Sequence, residues 1–358
     1  MRLLVVDTCY PPFLRAHYLA HPGLAGRPYE AQWQALMGTY FGTADAYSHY
    51  LGLLGHEAHE VVVNCLPLQR AWARENGIRT GLVHRLSGGR LGGITHHQAA
   101  RFEPDVVYVQ DVRALSPRAL GELRRSARLL VGQIATELPP WSQLEPFDLL
   151  VTSFPHYVTT FRERGIAAEL LRIGFDPRVL DHVRDVPVAH DTVFVGSLAR
   201  RRWETGNEAL EQAARIVPVE FWGYGLDGWP DDSPLVRSFH GEAWGLDMYR
   251  VLAGSRIALN RHGEVAAGHA NNMRLFEATG VGTLLLTDER TDLDELFVVG
   301  DEVVTYRDGR DLAEKAAYYL SHDEERLRAA AAGQRRTLAE HTYAVRMREL
   351  TEILQAHL

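Results

Sequence analysis

The sequence predicts an α/β protein made of two doubly wound, Rossmann-like domains with parallel sheets, and three observations carry that expectation. Short apolar runs alternate with amphipathic stretches along almost the whole chain. The alternation breaks once, at LLRIGFDPRVLDHVRDVPVAHD, a segment of mixed charge with two prolines, and then resumes. A chain of 358 residues is long for one domain and comfortable for two.

In the first half, Leu3 to Val6, Val61 to Val63, Val106 to Val109, Leu129 to Val131 and Leu149 to Thr152 read as buried strands. Helical patterns around Tyr47 to Leu54 and Leu115 to Arg125 lie between them. In the second half, the strands are Thr192 to Val195, Val219 to Trp222, Ile257 to Leu259, Thr283 to Leu286 and Glu302 to Thr305. Helices are expected around Trp203 to Ala214, Leu246 to Ala253, Met273 to Thr279 and Leu312 to Ser321, and the tail from Glu324 is almost wholly helical. The expected domains are therefore residues 1–176 and 191–335, with a linker over 177–190 and a terminal helix over 336–358 that packs back on the first domain. Two such sheets present the carboxyl ends of their strands to a central cleft, where open α/β sheets bind ligands.

Composition narrows the function. Hydrophobic residues at 46% and charged residues at 23% are enough for a core. A formal charge of −8 argues against a nucleic-acid surface, which needs a basic footprint. Cys9 and Cys65 are the only cysteines, too few for a disulfide framework or a zinc cluster, which suits a reducing, cytoplasmic setting. The opening run MRLLVVD is too short for a signal segment, and no stretch reaches the roughly 18 apolar residues of a membrane span.

The most informative stretch is AAGHANNMRLFEATGVGTLLLTDERTDLDELF. Asn271 and Asn272 are good caps for a helix starting near Met273. Met273 and Phe276 fall three apart and would face the core, with Arg274 and Glu277 on the opposite side. Gly280 is expected to stop the helix before a buried strand. Glu277 sits in the last turn, where the helix dipole disfavours a carboxylate by roughly 0.3–1 kcal/mol. Two readings are open: a surface ion pair contributing roughly 0–1 kcal/mol, or an anion received by the helix start, neutralised by Arg274, with Glu277 accepting ligand hydroxyls.

This segment resembles the donor-sugar signature of the GT-B glycosyltransferases, and NMRLFEATGVGTLLLTD is especially similar to the spore-maturation CgeB-type, family-1-like group. SHYLGLLGHEAHEVVVN and VTSFPHYVTTFRERGIAAELLRIGFDP resemble the opening motif and the interdomain entry of family-4-like enzymes, and HTYAVRMRELTEIL resembles their terminal helix. The resemblance implies a GT-B fold and a nucleotide-diphosphate sugar as donor, with UDP- or dTDP-sugars favoured and a hydroxyl of a small molecule, glycan or natural product as acceptor. It implies that Glu277 contacts ribose and that the helix start at Asn271, Asn272, Met273 and Arg274 contacts the diphosphate. Two departures stand out. The family-4 glutamate eight residues before the one matched by Glu277 is His269 here, and the family's lysine after its first basic residue has no clear counterpart. The same scaffold also serves nucleotide-sugar 2-epimerases, and a non-catalytic descendant would keep the binding signature.

Other constellations sit at strand ends. Gly196 and Ser197 let the backbone bend before Arg200, Arg201 and Arg202, whose guanidinium groups suit phosphate oxygens, with Arg200 or Arg201 as a diphosphate clamp. The resemblance places Gly241 to Ala243 near a uracil-like base. RIALNRHG brings Asn260, Arg261 and His262 to a carboxyl edge, where His262 would meet the transferred sugar or the leaving phosphate. In the first domain Asp111, Glu137 and His17, the last expected on the loop after the first strand, are the candidates to deprotonate an acceptor. No HExxH, paired cysteines or Asp-x-Asp dyad occurs, so a metal-independent transfer is expected, with no cofactor beyond the nucleotide sugar.

Overall fold

The structure, a computed structural model, describes residues 1–78, 90–200 and 204–358. The chain forms two compact units. Unit 1 comprises Met1–Arg172 and Arg346–Leu358, and unit 2 comprises Ile173–Val345.

Unit 1 opens with β1 (Arg2–Asp7), followed by α1 (Pro11–Ala20), α2 (Tyr29–Met37) and α3 (Ala46–Leu53). Next come β2 (Glu57–Val62), α4 (Leu66–Glu75), α5 (Arg90–Phe102), β3 (Val106–Val109) and α6 (Pro117–Arg124). The unit continues with β4 (Leu129–Gln133), β5 (Leu149–Thr152), α7 (Pro155–Arg162) and β6 (Ala168–Leu170). The sheet order is β2-β1-β3-β4-β5-β6 and every pairing is parallel. β3 and β5 are buried throughout, as expected of parallel strands covered on both faces.

Unit 2 contains α8 (Leu180–Val183), β7 (His190–Ser197), α9 (Glu204–Ala214), β8 (Glu220–Tyr224) and α10 (Pro234–Arg237). It continues with α11 (Leu246–Ala253), β9 (Ser255–Asn260), α12 (Met273–Gly280), β10 (Leu284–Asp288) and β11 (Val304–Tyr306). Two long helices, α13 (Gly309–Ser321) and α14 (Asp323–Glu340), precede α15 (Tyr343–His357), which ends in unit 1. This second sheet, β11-β10-β9-β7-β8, is also parallel throughout. Its core joins Phe221, Leu259, Leu284 and Leu286 of the sheet to Leu210 and Leu312 of the helices.

Several local expectations change. Residues 177–190 carry a short 3-10 turn, α8 and the first residue of β7; Val179 and Val183 are buried, so this stretch is packed structure within unit 2. His17 is on α1 rather than on a loop, because Pro11 and Pro12 supply pre-set φ angles for a first helical turn. Gly280 is the last residue of α12, but not as a left-handed stop. It is helical, and a Cβ there would lie 2.6 Å from the Phe175 ring, so its role is close packing; the left-handed turn falls on Gly282 at φ +85°. Nor does α12 have a polar outer side, for Leu275, Phe276, Glu277, Ala278 and Thr279 are all buried while Met273 is half-buried. Among the described residues, no helix is long and apolar enough to cross a membrane.

Candidate functional site

In unit 2 the chain passes from β7 to β8 on one side and returns to β9 on the other, so the connections diverge between the carboxyl ends of β7 and β9. Such a switch point leaves a crevice where ligands of doubly wound sheets bind. β7 ends at Gly196 and Ser197, and β9 ends at Asn260, with Arg261 and His262 immediately beyond. Arg261 reaches back across the gap. Its Nη2 donates to the Ser197 carbonyl at 2.5 Å and to Asn207 Oδ1 at 2.8 Å, and its guanidinium stands 5.3 Å from the centre of the Phe194 ring. Burial lowers the Arg261 pKa to about 10, so it stays a cation at neutral pH.

The start of α12 is fixed by a single side chain. Asn272 Oδ1 accepts the Leu275 N–H at 3.2 Å, a helix cap. Its Nδ2 donates to Asn260 Oδ1 at 2.8 Å and to the Arg261 carbonyl at 2.9 Å. Asn260 in turn donates to Thr287 Oγ1 at 3.0 Å, and the Tyr306 hydroxyl donates to the Asn260 carbonyl at 2.6 Å. The helix tip is thus tied to β9, β10 and β11 together.

One turn along, Arg274 Nη1 lies 2.8 Å from Glu277 Oε2, and Arg274 Nη2 donates to the Val195 carbonyl at 3.1 Å. Glu277 is buried and Arg274 half-buried, so the pair is not on the open surface. Burial pushes the Glu277 carboxyl above its ordinary range, while Arg274 and a hydrogen bond from Tyr249 pull the other way. Arg274 Nε is buried with no partner, so the guanidinium keeps an unused donor.

Two histidines beside this helix start are each oriented by an aspartate from β10 or the loop beyond it. His262 Nδ1 is 2.6 Å from Asp288 Oδ1, the His262 N–H donates to both Asp288 oxygens at 3.1 Å, and Arg290 pairs with the same carboxylate. Burial acts to raise the Asp288 pKa, but His262 and Arg290 outweigh it and hold the group below the usual value. His269 Nδ1 lies 3.0 Å from Asp292 Oδ2, and Asp292 Oδ1 accepts the Ala270 N–H at 2.6 Å. A cavity of about 360 Å³ opens at this edge, lined among others by Arg261, His262, Asp288, Arg290, Tyr306 and Arg307. Asp288 and Asp292 are the polar residues that sequence reasoning missed. The Asp288 signal lay in strand register: Asn260 pairs with Thr287, which sets Asp288 level with the residues just past β9.

The remaining expected residues are spread out. Gly196 lies beside Gly223, whose φ of +135° and close approach to the Gly196 carbonyl leave no room for a side chain. Arg200 is exposed, with its Nη1 3.3 Å from the Gly228 carbonyl and its guanidinium 5.5 Å from the centre of the Trp229 ring. Arg201 lies outside the described residues. The Gly241 carbonyl accepts the Gly223 N–H at 2.8 Å, so its acceptor is already used within the fold. Asn271 and Met273 are half-buried at the helix tip.

Unit 1 separates its three candidates. Asp111 follows β3 and accepts from the Thr8 hydroxyl at 3.0 Å and the Arg113 N–H at 2.9 Å. Glu137 is exposed beyond β4, and its carbonyl accepts from Arg113. His17 is buried among Phe13, Tyr18 and His21, and burial together with His21 lowers its pKa to about 4. Among the described residues, no group of three or more His, Cys, Asp or Glu side chains is placed to hold a metal ion.

Residues 200–352 match the model of a family described as glycosyl transferase-like. None of the curated proteins matches the sequence significantly. By structure the chain is similar to HepE of Anabaena in complex with UDP-glucose, at 14% identity and a TM-score of 0.62, over 99% of this chain and 100% of that one. It is also similar to a glycosyltransferase from Rickettsia africae, at 11% identity and a TM-score of 0.60, over 99% and 98% of the two chains. A third likeness is to sucrose-phosphate synthase from Thermosynechococcus elongatus, at 14% identity and a TM-score of 0.59, over the whole of both chains. The fold is that of the GT-B glycosyltransferases.

Proposed function

We propose that the protein is a glycosyltransferase of the CgeB-type or family-4-like group that moves a sugar from a nucleotide diphosphate, UDP or dTDP favoured, to an acceptor hydroxyl without a metal. The observation that carries this reading is the braced tip of α12 at the β7–β9 switch point, with half-buried Arg274 beside it. Backbone N–H groups at a helix start together with a guanidinium suit a diphosphate, and their fixed dipoles stabilise the charge that develops as it leaves. Arg261 adds a second cation, a buried one, at the same crevice. Glu277 is the acceptor for ribose hydroxyls, and Arg200 meets the phosphates from the opposite loop. His262, held by Asp288, faces the sugar or the departing phosphate. The similar fold of Anabaena HepE, crystallised with UDP-glucose and with UDP and glucose, supports a uridine diphosphate donor.

The test is a melting-temperature screen with UDP, dTDP, GDP and ADP in the presence of a chelator. A shift with UDP or dTDP that Glu277→Gln diminishes is expected. No shift with any of the four nucleotides would overturn the assignment.

A further inference from the structure

Unit 1 holds a cavity of about 260 Å³ between its sheet and the helices α4 and α5. Leu4 of β1 and Val61 of β2 form part of its floor, and both are buried. Trp72 of α4 and Phe102 of α5 are half-buried walls. Arg2, the first residue of β1, and Phe102, the last of α5, both line it, which sets it on the amino side of the sheet. Ligands of doubly wound sheets ordinarily bind at the other, carboxyl edge. Gln98, Arg101 and Phe102 are spaced three and four apart from Gln98, so one face of α5 supplies all three.

Gln98 is the reason to expect an occupant. It is only 4% exposed, yet neither its Nε2 nor its Oε1 has a hydrogen-bond partner. Buried amides are almost always satisfied, so one with both ends unused calls for an explanation. Gln69 on α4 is a contrast, for its Nε2 donates to the Val62 carbonyl at 3.0 Å. Two further polar side chains of the lining are engaged by neighbours. Arg2 Nη2 donates to Glu57 Oε1 at 3.2 Å, and its guanidinium stands 4.9 Å from the centre of the Phe102 ring. His59 Nε2 is 3.0 Å from the Tyr29 hydroxyl, and the ring stacks on Trp33. Arg101 differs: it is exposed at the rim, and its guanidinium has no ion pair or hydrogen bond among the described residues.

We propose that this cavity binds a nucleoside monophosphate, with the base edge on the Gln98 amide, the flat ring against the Trp72 and Phe102 side chains, and the phosphate on Arg101. An amide places a donor and an acceptor side by side in one plane. The edge of a nucleobase presents the matching pair, which is how glutamine reads bases. Aromatic walls suit any base, since each has a π face. The unengaged guanidinium at the rim supplies the fork that phosphate oxygens take. Ligand pockets commonly hold roughly 300–1,000 Å³. At about 260 Å³ this one is small, enough for one base with its sugar while the phosphate stays at the open rim. The site is independent of the donor reading of unit 2 and stands or falls without it.

The experiment titrates the full chain with UMP, CMP, AMP and GMP by calorimetry, with the corresponding nucleosides and ribose 5-phosphate as partial ligands. At least one monophosphate is expected to bind and to raise the melting temperature. Gln98→Leu should weaken that binding roughly tenfold or more. Without ligand this variant should melt at the same temperature as the wild type or higher, because an apolar group replaces an unsatisfied amide. Arg101→Ala, at an exposed position, should weaken the monophosphate and leave its nucleoside unchanged. Glu277→Gln, in unit 2, should leave the binding as it is. If Glu277→Gln removes the binding and Gln98→Leu does not, the nucleotide occupies unit 2 and the proposed site fails while the donor reading stands. No binding of any of the four monophosphates, or ribose 5-phosphate binding as tightly as they do, would overturn the site. So would a Gln98→Leu chain that melts lower without ligand, since the amide would then serve the fold.

Discussion

Arg274 and Glu277 meet at 2.8 Å inside unit 2, with side-chain exposures of only 14% and 7%. The same spacing on a solvent-facing helix contributes little, because water competes for both charges. Here each charge has further partners: Arg274 holds the Val195 carbonyl at the end of β7, and Glu277 accepts from Tyr249. Removing one partner strands the other in an apolar setting. Arg274→Met is therefore expected to cost about 3–5 kcal/mol in urea unfolding. The double variant Arg274→Met with Glu277→Leu should recover most of that loss, and neither variant should respond to UDP.

Glu277→Gln separates binding from folding. The amide keeps an oxygen for Tyr249, so the loss of stability should stay within about 1–2 kcal/mol. Affinity for UDP should fall roughly tenfold, or about 1.4 kcal/mol, by calorimetry. A loss of fold without any change in nucleotide affinity of the folded fraction would make the residue structural.

Asn272 performs three bonds with one side chain, and substitutions can divide them. Asn272→Ala removes the cap and both braces, an expected loss of about 2–3 kcal/mol. Asn272→Asp keeps the cap acceptor and loses only the two donations. It should be intermediate in stability, and weaker than the wild type for UDP because a new carboxylate faces the phosphates.

The architecture was legible because parallel strands buried on both faces are nearly continuous apolar runs: Val106–Val109 and Leu149–Thr152 match the sequence expectation to the residue. The short edge strand Ala168–Leu170 escaped, since three residues with a central glutamate carry no periodic signal. The stretch holding α1 and α2 gave no clear pattern, and its prolines read as loop until they are seen at the start of a helix. For the site, residues adjacent in sequence were found and their distant partners were not. Arg274 with Glu277 and the Asn272 cap are local spacings. Asp288 with His262 spans 26 residues and Asp292 with His269 spans 23, and only the arrangement of β9, β10 and the loops after them reveals these pairs. Asp7 was passed over because it reads as the polar end of a first strand; burial is the main cause of its raised pKa, with the charge of Asp111 adding to it.

Glu60, buried on β2, accepts from the Ser48 N–H at 2.7 Å and the Ser48 hydroxyl at 2.6 Å. Burial nonetheless raises its pKa from 4.5 to about 7. The folded state then holds this proton more tightly than the unfolded chain does. Stability from this group is fully present below about pH 4.5 and declines as pH rises through about 7. Glu60→Gln removes that dependence. It should be more stable than the wild type by about 1–3 kcal/mol at pH 8, and nearly equal at pH 4.5, in urea titrations at the two pH values.

Asp288 gives the opposite sign. Its carboxylate takes the His262 N–H, the His262 ring and Arg290, and these contacts hold its pKa below the usual 3.8 despite burial. A depressed acid contributes stability that is present above its unfolded pKa and is lost as pH falls through the folded value. Asp288→Asn is therefore expected to cost about 2–3 kcal/mol at pH 7, from charge-assisted bonds made weaker. The difference from the wild type should shrink as pH falls below 3.8 and through the lowered pKa of the folded state, where the wild type too loses the charge. The amide also offers the His262 ring a less basic partner, so the imidazole is less firmly oriented. If His262 serves the leaving phosphate, turnover should drop further than nucleotide affinity does. Equal losses in the two would leave Asp288 with a role in folding alone.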